Sequence, residues 1–409
     1  MKSRKSAIRR SFLAAAIVVA GSVAGIAGFA GSASADAAGT AGAVPAASAP
    51  PAAKPAAAAL AGISCTSATF CMAVGGASTT MSTQLAAEDW TGAWHRLTIG
   101  KPGGLSYAAL SAVSCPSATE CVAVGEGTAK KSGRWVPVAE TWTRSGGWKA
   151  GTLAVPAGNG DSMLNAISCP STSLCYAAGE AGAFATVAAD QLPLVERWTP
   201  RGGWMRVKPP TLRGSMENAL GGISCKSATQ CAAVGSYGTP TKQYGLIEQL
   251  KGSAWSVSTA PRSTNGLLNA VSCPTIALCV AVGSLPGGRN LAERWSSGKW
   301  TPTEPPGPAS SGGLLELTGV SCASATHCVA AGDTLSTAFV DTLNGTTWTK
   351  TAQYGPGFKV GELFAVSCFS TSAKAVSCAA IGGTTSIDAT SVPLSAFLTG
   401  SKWHIVSTV

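Results

Sequence analysis

One phrase occurs seven times in this chain: Leu-x-[Ala/Gly]-[Ile/Val]-Ser-Cys, a short polar loop, then Cys-x-Ala-[Val/Ala/Ile]-Gly. It restricts the available folds more than any other feature. The copies open at Leu60, Leu110, Leu164, Leu220, Leu268, Leu317 and Leu363, 46 to 56 residues apart. Five residues separate the two cysteines in six copies, and nine separate Cys368 from Cys378. A period of about 50 residues is the mark of stacked or radially arranged units, none of which buries its apolar face alone.

Each copy starts with two short β-type runs joined by a loop rich in Ser, Thr and Pro, which reads as a hairpin. A third run carries Glu and then Trp, as in Glu140/Trp142, Glu196/Trp198 and Glu293/Trp295. A Gly-containing turn leads to a fourth run opening with Trp94, Trp148, Trp204, Trp255, Trp300, Trp348 or Trp403. Four strands per unit, seven units and no helical period predict an all-β fold, a seven-bladed β-propeller of four-stranded antiparallel blades. A β-solenoid would use shorter repeats and end caps. The segment before Leu60 cannot supply a strand, so the ring is expected to close by packing blade one on blade seven.

Strict alternation along the first strand places Leu, Ala/Gly and Ser on one face and Ile/Val and Cys on the other. Both faces are small or apolar, which suits the innermost strand of a blade. The tryptophans suit the outer strands, where the gap between blades widens. The cysteines end strand one and begin strand two and so face each other across the hairpin. The expected bridges are Cys65–Cys71, Cys115–Cys121, Cys169–Cys175, Cys225–Cys231, Cys273–Cys279, Cys322–Cys328 and Cys368–Cys378. Each closes a short loop and contributes about 2–2.5 kcal/mol by chain entropy.

Fourteen cysteines in an exported chain indicate disulfides before metal. The three histidines, His95, His327 and His404, fall inside repeats as surface strand positions, so no metal and no cofactor is expected.

Residues 1–35 read as a signal peptide: Lys2, Arg4, Lys5, Arg9 and Arg10, an apolar run over 12–30, and Ala33-Ser34-Ala35 as cleavage site. Arg9-Arg10-Ser11-Phe12-Leu13 resembles the twin-arginine export signal, with Sec export as the alternative. Export by the twin-arginine route would close the bridges after folding. Residues 36–59 are nearly all Ala, Pro, Gly and Ser and read as a linker. Removing the signal leaves 24 basic against 19 acidic residues, a net charge of +5. That is too mild and too dispersed for nucleic acid. No membrane attachment is expected after signal removal. The expected product is a secreted, wall-associated or free monomer.

The unit Leu-x-x-Val-Ser-Cys … Cys-x-Ala-Val-Gly … Glu-x-Trp … Gly-x-x-Trp resembles the Asp-box class of propeller repeats. There, a turn of the type S-x-D-x-G-x-T-W joins strands three and four, in sialidases, exo-acting glucanases, sortilin-type receptors and a photosystem assembly factor. The matching turns here are TRSGGW ending at Trp148, TPRGGW at Trp204 and LNGTTW at Trp348, with Gly and Trp kept and Asp absent. The resemblance spans residues 60–409 and implies the propeller fold. The cysteine-bearing form resembles exported repeat proteins of high-GC Gram-positive bacteria.

Loops after strand two, with the connections between blades, occupy one face of such a ring. They vary in length, whereas the Cys hairpins on the other face are nearly uniform. Variable loops on a rigid scaffold are where binding resides. Eleven of the twelve tryptophans occupy repeat slots and Trp135 does not. It follows Lys130, Lys131 and Arg134 in the loop of blade two, a basic and aromatic set suited to an anionic partner. Tyr237 and Tyr244 are weaker candidates of the same kind.

For hydrolysis the candidates are Glu316 and Glu362, each directly before the first Leu of adjacent blades, and Asp161 and Glu217, three residues before that Leu in blades three and four. A glycosidase needs two carboxyl groups about 5–9.5 Å apart. No R-I-P motif, G-x-S-x-G, H-E-x-x-H or phosphate-cradling loop is present. The sequence therefore reads as a non-catalytic binding or scaffold propeller for an extracellular glycan, wall polymer or protein, with a glycoside hydrolase or lyase as the alternative.

Overall fold

A computed structural model describes residues 58–78, 83–151, 160–182, 191–208, 210, 212, 217–239, 242–258, 266–308, 315–334, 337–354, 361–370, 376–385, 391–399 and 402–407. The signal segment and all but the last two linker residues lie outside this set. The described residues form 28 strands, β1 to β28 in chain order, in seven four-stranded antiparallel sheets. Each sheet is a meander of consecutive strands, so the fold is the seven-bladed propeller predicted. The inner strands are β1 (Ala58–Ser67), β5 (Leu105–Ser117), β9 (Asp161–Ser171), β13 (Glu217–Ser227), β17 (Leu267–Thr275), β21 (Leu315–Ser324) and β25 (Gly361–Ser370). Each packs on the next, and β1 packs on β25 to close the ring without a shared blade.

All seven disulfides join the cysteine pairs within each hairpin, as expected. In blade one, Cys65 lies directly opposite Cys71. Among the described residues no helix is long and apolar enough to cross a membrane. Seven disulfides fit an oxidising, extracellular setting.

The alternation expected along the inner strands fails at one point. Every inner strand shifts register just after its Leu, between Leu60 and Gly62 in blade one and at the same place in the other six. This bulge inserts one residue and resets the parity. Leu110, Val113 and Cys115 consequently share one buried cluster, although strict alternation had put Leu opposite the other two. The bulge also explains the Gly of Cys-x-Ala-Val-Gly. A Cβ on Gly75 would lie 1.8 Å from the Ala59 carbonyl oxygen, and one on Gly382 1.8 Å from that of Glu362.

The Ser of the Ser-Cys pair has a role that no single blade reveals. Its hydroxyl accepts a hydrogen bond from the backbone N–H of the first Cys in the following blade. Cys115 N donates to Ser64 Oγ at 3.0 Å, Cys169 N to Ser114 Oγ at 3.0 Å, and Cys225 N to Ser168 Oγ at 2.9 Å. Cys273, Cys322 and Cys368 repeat the contact with Ser224, Ser272 and Ser321. Cys65 N closes the circle on Ser367 Oγ at 2.9 Å. Seven such bonds run around the ring, each contributing about 1 kcal/mol.

The acid of strand three is likewise a between-blade residue. Glu88, Glu140, Glu196, Glu248, Glu293 and Asp341 occupy this slot and are all at most 1% exposed, and blade seven has Ala396 there. Trp94 Nε1 of blade one donates to Ser395 Oγ of blade seven at 3.0 Å, so the fourth-strand Trp of one blade packs on the residue that precedes this slot in the blade before it. Trp204 accordingly joins Val122 and Ala139 of blade two, and Trp300 joins Val234 and Ile247 of blade four. Burial drives four of these carboxyls out of the ordinary range. Glu140 and Glu196 are pushed up to about 7, the latter despite nearby Arg206, and Glu248 to about 8. Asp341 reaches about 6, held back by a bond from Gly307 N and by the charge of Lys350.

Candidate functional site

The basic loop of blade two connects β6 (Glu120–Ala129) to β7 (Trp135–Thr143). It is a tight, internally bonded turn. Ala129 N donates to Arg134 O at 2.9 Å, Gly133 N to Ala129 O at 2.8 Å, and Lys130 N to Gly104 O at 2.9 Å. Gly133 has φ 67°, a conformation that favours glycine. Lys130, Lys131 and Arg134 project into solvent. Trp135 is half-buried, with its ring edge-on to Tyr107 at 5.5 Å. Its backbone N–H donates to Asp161 Oδ1 at 2.9 Å, across the boundary to blade three.

Two residues singled out separately therefore belong to one construction. Asp161 is a brace for the loop that presents the cations. Beneath it lie Tyr107, whose hydroxyl is raised by burial and by the nearby charge of Glu126, and Glu126, pushed up by burial to about 7.

The second group lies at blades six and seven. Glu316 sits on β21 directly opposite Asp333 of β22 (His327–Thr334). Glu362 takes the equivalent slot on β25, opposite Gly383. Asp333 is held well above the carboxylate range by burial, then by Glu362 and Glu316, and Glu362 is raised by burial. Asn269 of blade five donates through Nδ2 to Glu316 Oε1 and to the Leu317 carbonyl, both at 2.9 Å. The fold thus brings Glu316 and Glu362 together around a third acid. Asp161 opens β9 and braces the loop of blade two, and Glu217 opens β13 opposite Gly238.

Asp333, Asn269, Tyr107 and Glu126 escape the sequence reading. The signal for Asp333 was present: the residue after the repeat Gly is also acidic in blades two and three, as Glu126 and Glu180. Tyr237 and Tyr244 face each other across β14 (Gln230–Thr239) and β15 (Lys242–Lys251), ring centroids 5.4 Å apart. His95 and His404 are exposed, and His327 Nδ1 lies 2.8 Å from Asn344 Oδ1. Among the described residues no group of three or more His, Cys, Asp or Glu is arranged to hold a metal ion.

No protein-family model matches the chain, and no curated protein matches it. It is similar to several solved structures. Sqt1 of Chaetomium thermophilum, bound to the N-terminus of ribosomal protein L10, aligns at 10% identity over 83% of this chain and 84% of its own, with a TM-score of 0.49. The fungal lectin of Aleuria aurantia aligns at 11% identity over 87% of this chain and 97% of its own, at 0.46. The sialidase of Trypanosoma rangeli, in complex with the inhibitor DANA, aligns at 10% identity over 84% of this chain and 56% of its own, at 0.47.

Proposed function

We propose that the mature protein, residues 36–409, is an exported, non-catalytic binding propeller of the Asp-box class. Its propeller, residues 60–409, follows a signal peptide over 1–35 and a linker over 36–59. Its partner is an anionic extracellular surface, such as a wall polymer or an acidic glycan, met by the face that carries the loops after strand two. The observation that carries this reading is the loop of residues 130–134. Three cations stand on a turn fixed by its own backbone bonds and braced by Asp161 to the next blade. A preorganised cationic loop loses little conformational freedom on binding, and its attraction is screened by salt.

A second reading, hydrolysis of a glycan, draws on Glu316, Asp333 and Glu362, where burial and its two acidic neighbours hold Asp333 well above the carboxylate range. Pairing a protonated with an ionised carboxyl is what glycoside cleavage requires. The binding reading is preferred because the cations are solvent-facing, whereas Asn269 ties Glu316 into the wall between blades.

A cell-wall pull-down tests the assignment. The parent is expected to be retained at low salt and released at high salt. A Lys130→Glu/Lys131→Glu double variant is expected to bind roughly tenfold more weakly, the equivalent of about 1.4 kcal/mol. Trp135→Ala is expected to weaken binding less, by loosening the loop against Tyr107. Parent-like retention by both folded variants would place the contact elsewhere.

A further inference from the structure

We infer that a second binding site lies between blades four and five on the opposite face, and that it takes an acidic monosaccharide unit, a hexuronate. It does not rest on the loop of blade two.

The residue before the second Cys differs from blade to blade. In blade one the residue before the second Cys is Phe70. Its ring stacks on Trp142 of blade two at 5.6 Å and 22°, leaving Phe70 1% and Trp142 6% exposed. The equivalent residue in blade four is Gln230, and the Trp in the equivalent slot of blade five is Trp295. No aromatic seals that groove, and a half-open pocket remains between Gln230 and Trp295. Trp295 is only half-buried. The neighbouring hairpin departs from its siblings as well. Where blades one, two, four and six carry Ser-x-Thr with a Ser–Thr hydroxyl contact, as at Ser67 and Thr69, blade five has Thr275-Ile276-Ala277, and Ile276 is 62% exposed at the rim.

The lining defines the ligand. Lys251 Nζ lies 5.5 Å from the Trp295 ring centroid, and Lys226 stands at the same pocket. No carboxylate lines it, and neither lysine forms an ion pair among the described residues. Gln230 and Gln249 add amides that both donate and accept. Two cations, one of them seated over an indole, and two amides match a ring that bears one carboxylate and several hydroxyls.

Calorimetry on the full exported chain tests this with trigalacturonate and its methyl ester at low salt. Trigalacturonate is expected to bind, its ester at least about tenfold more weakly, the step that about 1.4 kcal/mol represents. Lys251→Gln is expected to weaken binding severalfold. Gln230→Phe restores the blade-one seal and is expected to abolish binding with the melting temperature kept, while Trp135→Ala binds trigalacturonate as the parent does. Three results would overturn the site: no uptake by the parent, parent-like uptake by Gln230→Phe, or equal binding of the methyl ester. Equally tight binding of a pentaglutamate peptide would overturn the sugar assignment.

Discussion

Gly75→Ala is expected to unfold blade one, whereas the same change one residue later, Gly76→Ala, is expected to leave the protein folded. Both residues lie on β2 (Phe70–Ser78), and the chemical change is identical. They differ in what a methyl group would meet. At Gly75 it would fall 1.8 Å from the Ala59 carbonyl oxygen and 2.9 Å from the Leu60 Cα, both backbone atoms fixed by the bulge and the ladder. At Gly76 the nearest atom is the Ala109 Cβ at 3.4 Å, an ordinary contact. Relief at Gly75 requires the inner strand to move, and that strand carries the Ser–Cys bonds to both neighbouring blades. We expect a loss of more than about 3 kcal/mol for Gly75→Ala, above the usual cost of overpacking. For Gly76→Ala we expect a change within about 1 kcal/mol, eased by the lower entropy of the unfolded chain. Urea midpoints measure both. Similar midpoints for the two variants would mean that the bulge does not impose the glycine.

The protein is also expected to be more stable near pH 5 than near pH 8, the reverse of a domain held by carboxylate salt bridges. Glu140, Glu196 and Glu248 lie between blades with folded-state values of about 7, 7 and 8, all raised by burial from 4.5. Below the unfolded value both states are protonated and the full stability is present. As pH rises toward the folded value the unfolded chain releases its protons first, so stability falls across that window and levels off above it. Each pKa unit is worth about 1.4 kcal/mol, so Glu248 alone accounts for a few kcal/mol on this scale. The melting temperature should therefore drop by roughly 5 °C or more between pH 5 and pH 8. Glu248→Gln should raise it at pH 8, leave it nearly unchanged at pH 5, and flatten the profile. A melting temperature that rises with pH, or a Glu248→Gln variant with the parent's slope, would contradict the assignment of a protonated acid to this slot.

What was legible in the sequence follows from where each constraint lies. The disulfide pairs are encoded within a single hairpin, in Leu60–Gly75 as in any later copy, the strand count in one whole repeat, and the blade number in the count of copies. Constraints between blades are not written in any one copy. Ser64 read as a small residue that fits an inner strand, yet its hydroxyl serves Cys115, 51 residues on. Glu140 read as a landmark before Trp142, yet it is sealed between blades. The bulge after Leu was invisible because Leu-x-[Ala/Gly]-[Ile/Val] is compatible with plain alternation. The site divides in the same way. Lys130, Lys131 and Arg134 stood out because they break the repeat, whereas the Asp161 brace crosses from blade three and could be found only in the folded ring. Several connections on the variable face lie outside the described residues, whereas 97–104, 130–134, 286–288 and 304–308 lie within them.

Binding without chemistry is the central claim, and one incubation measures both. Purified cell wall is mixed with the exported protein at low and high salt, and the protein retained and the reducing ends released are quantified together. The account predicts salt-sensitive retention with no release of reducing ends above a protein-free control. Release by the parent that disappears in Glu316→Gln or Glu362→Gln would contradict it and assign the chemistry to the carboxylates of blades six and seven.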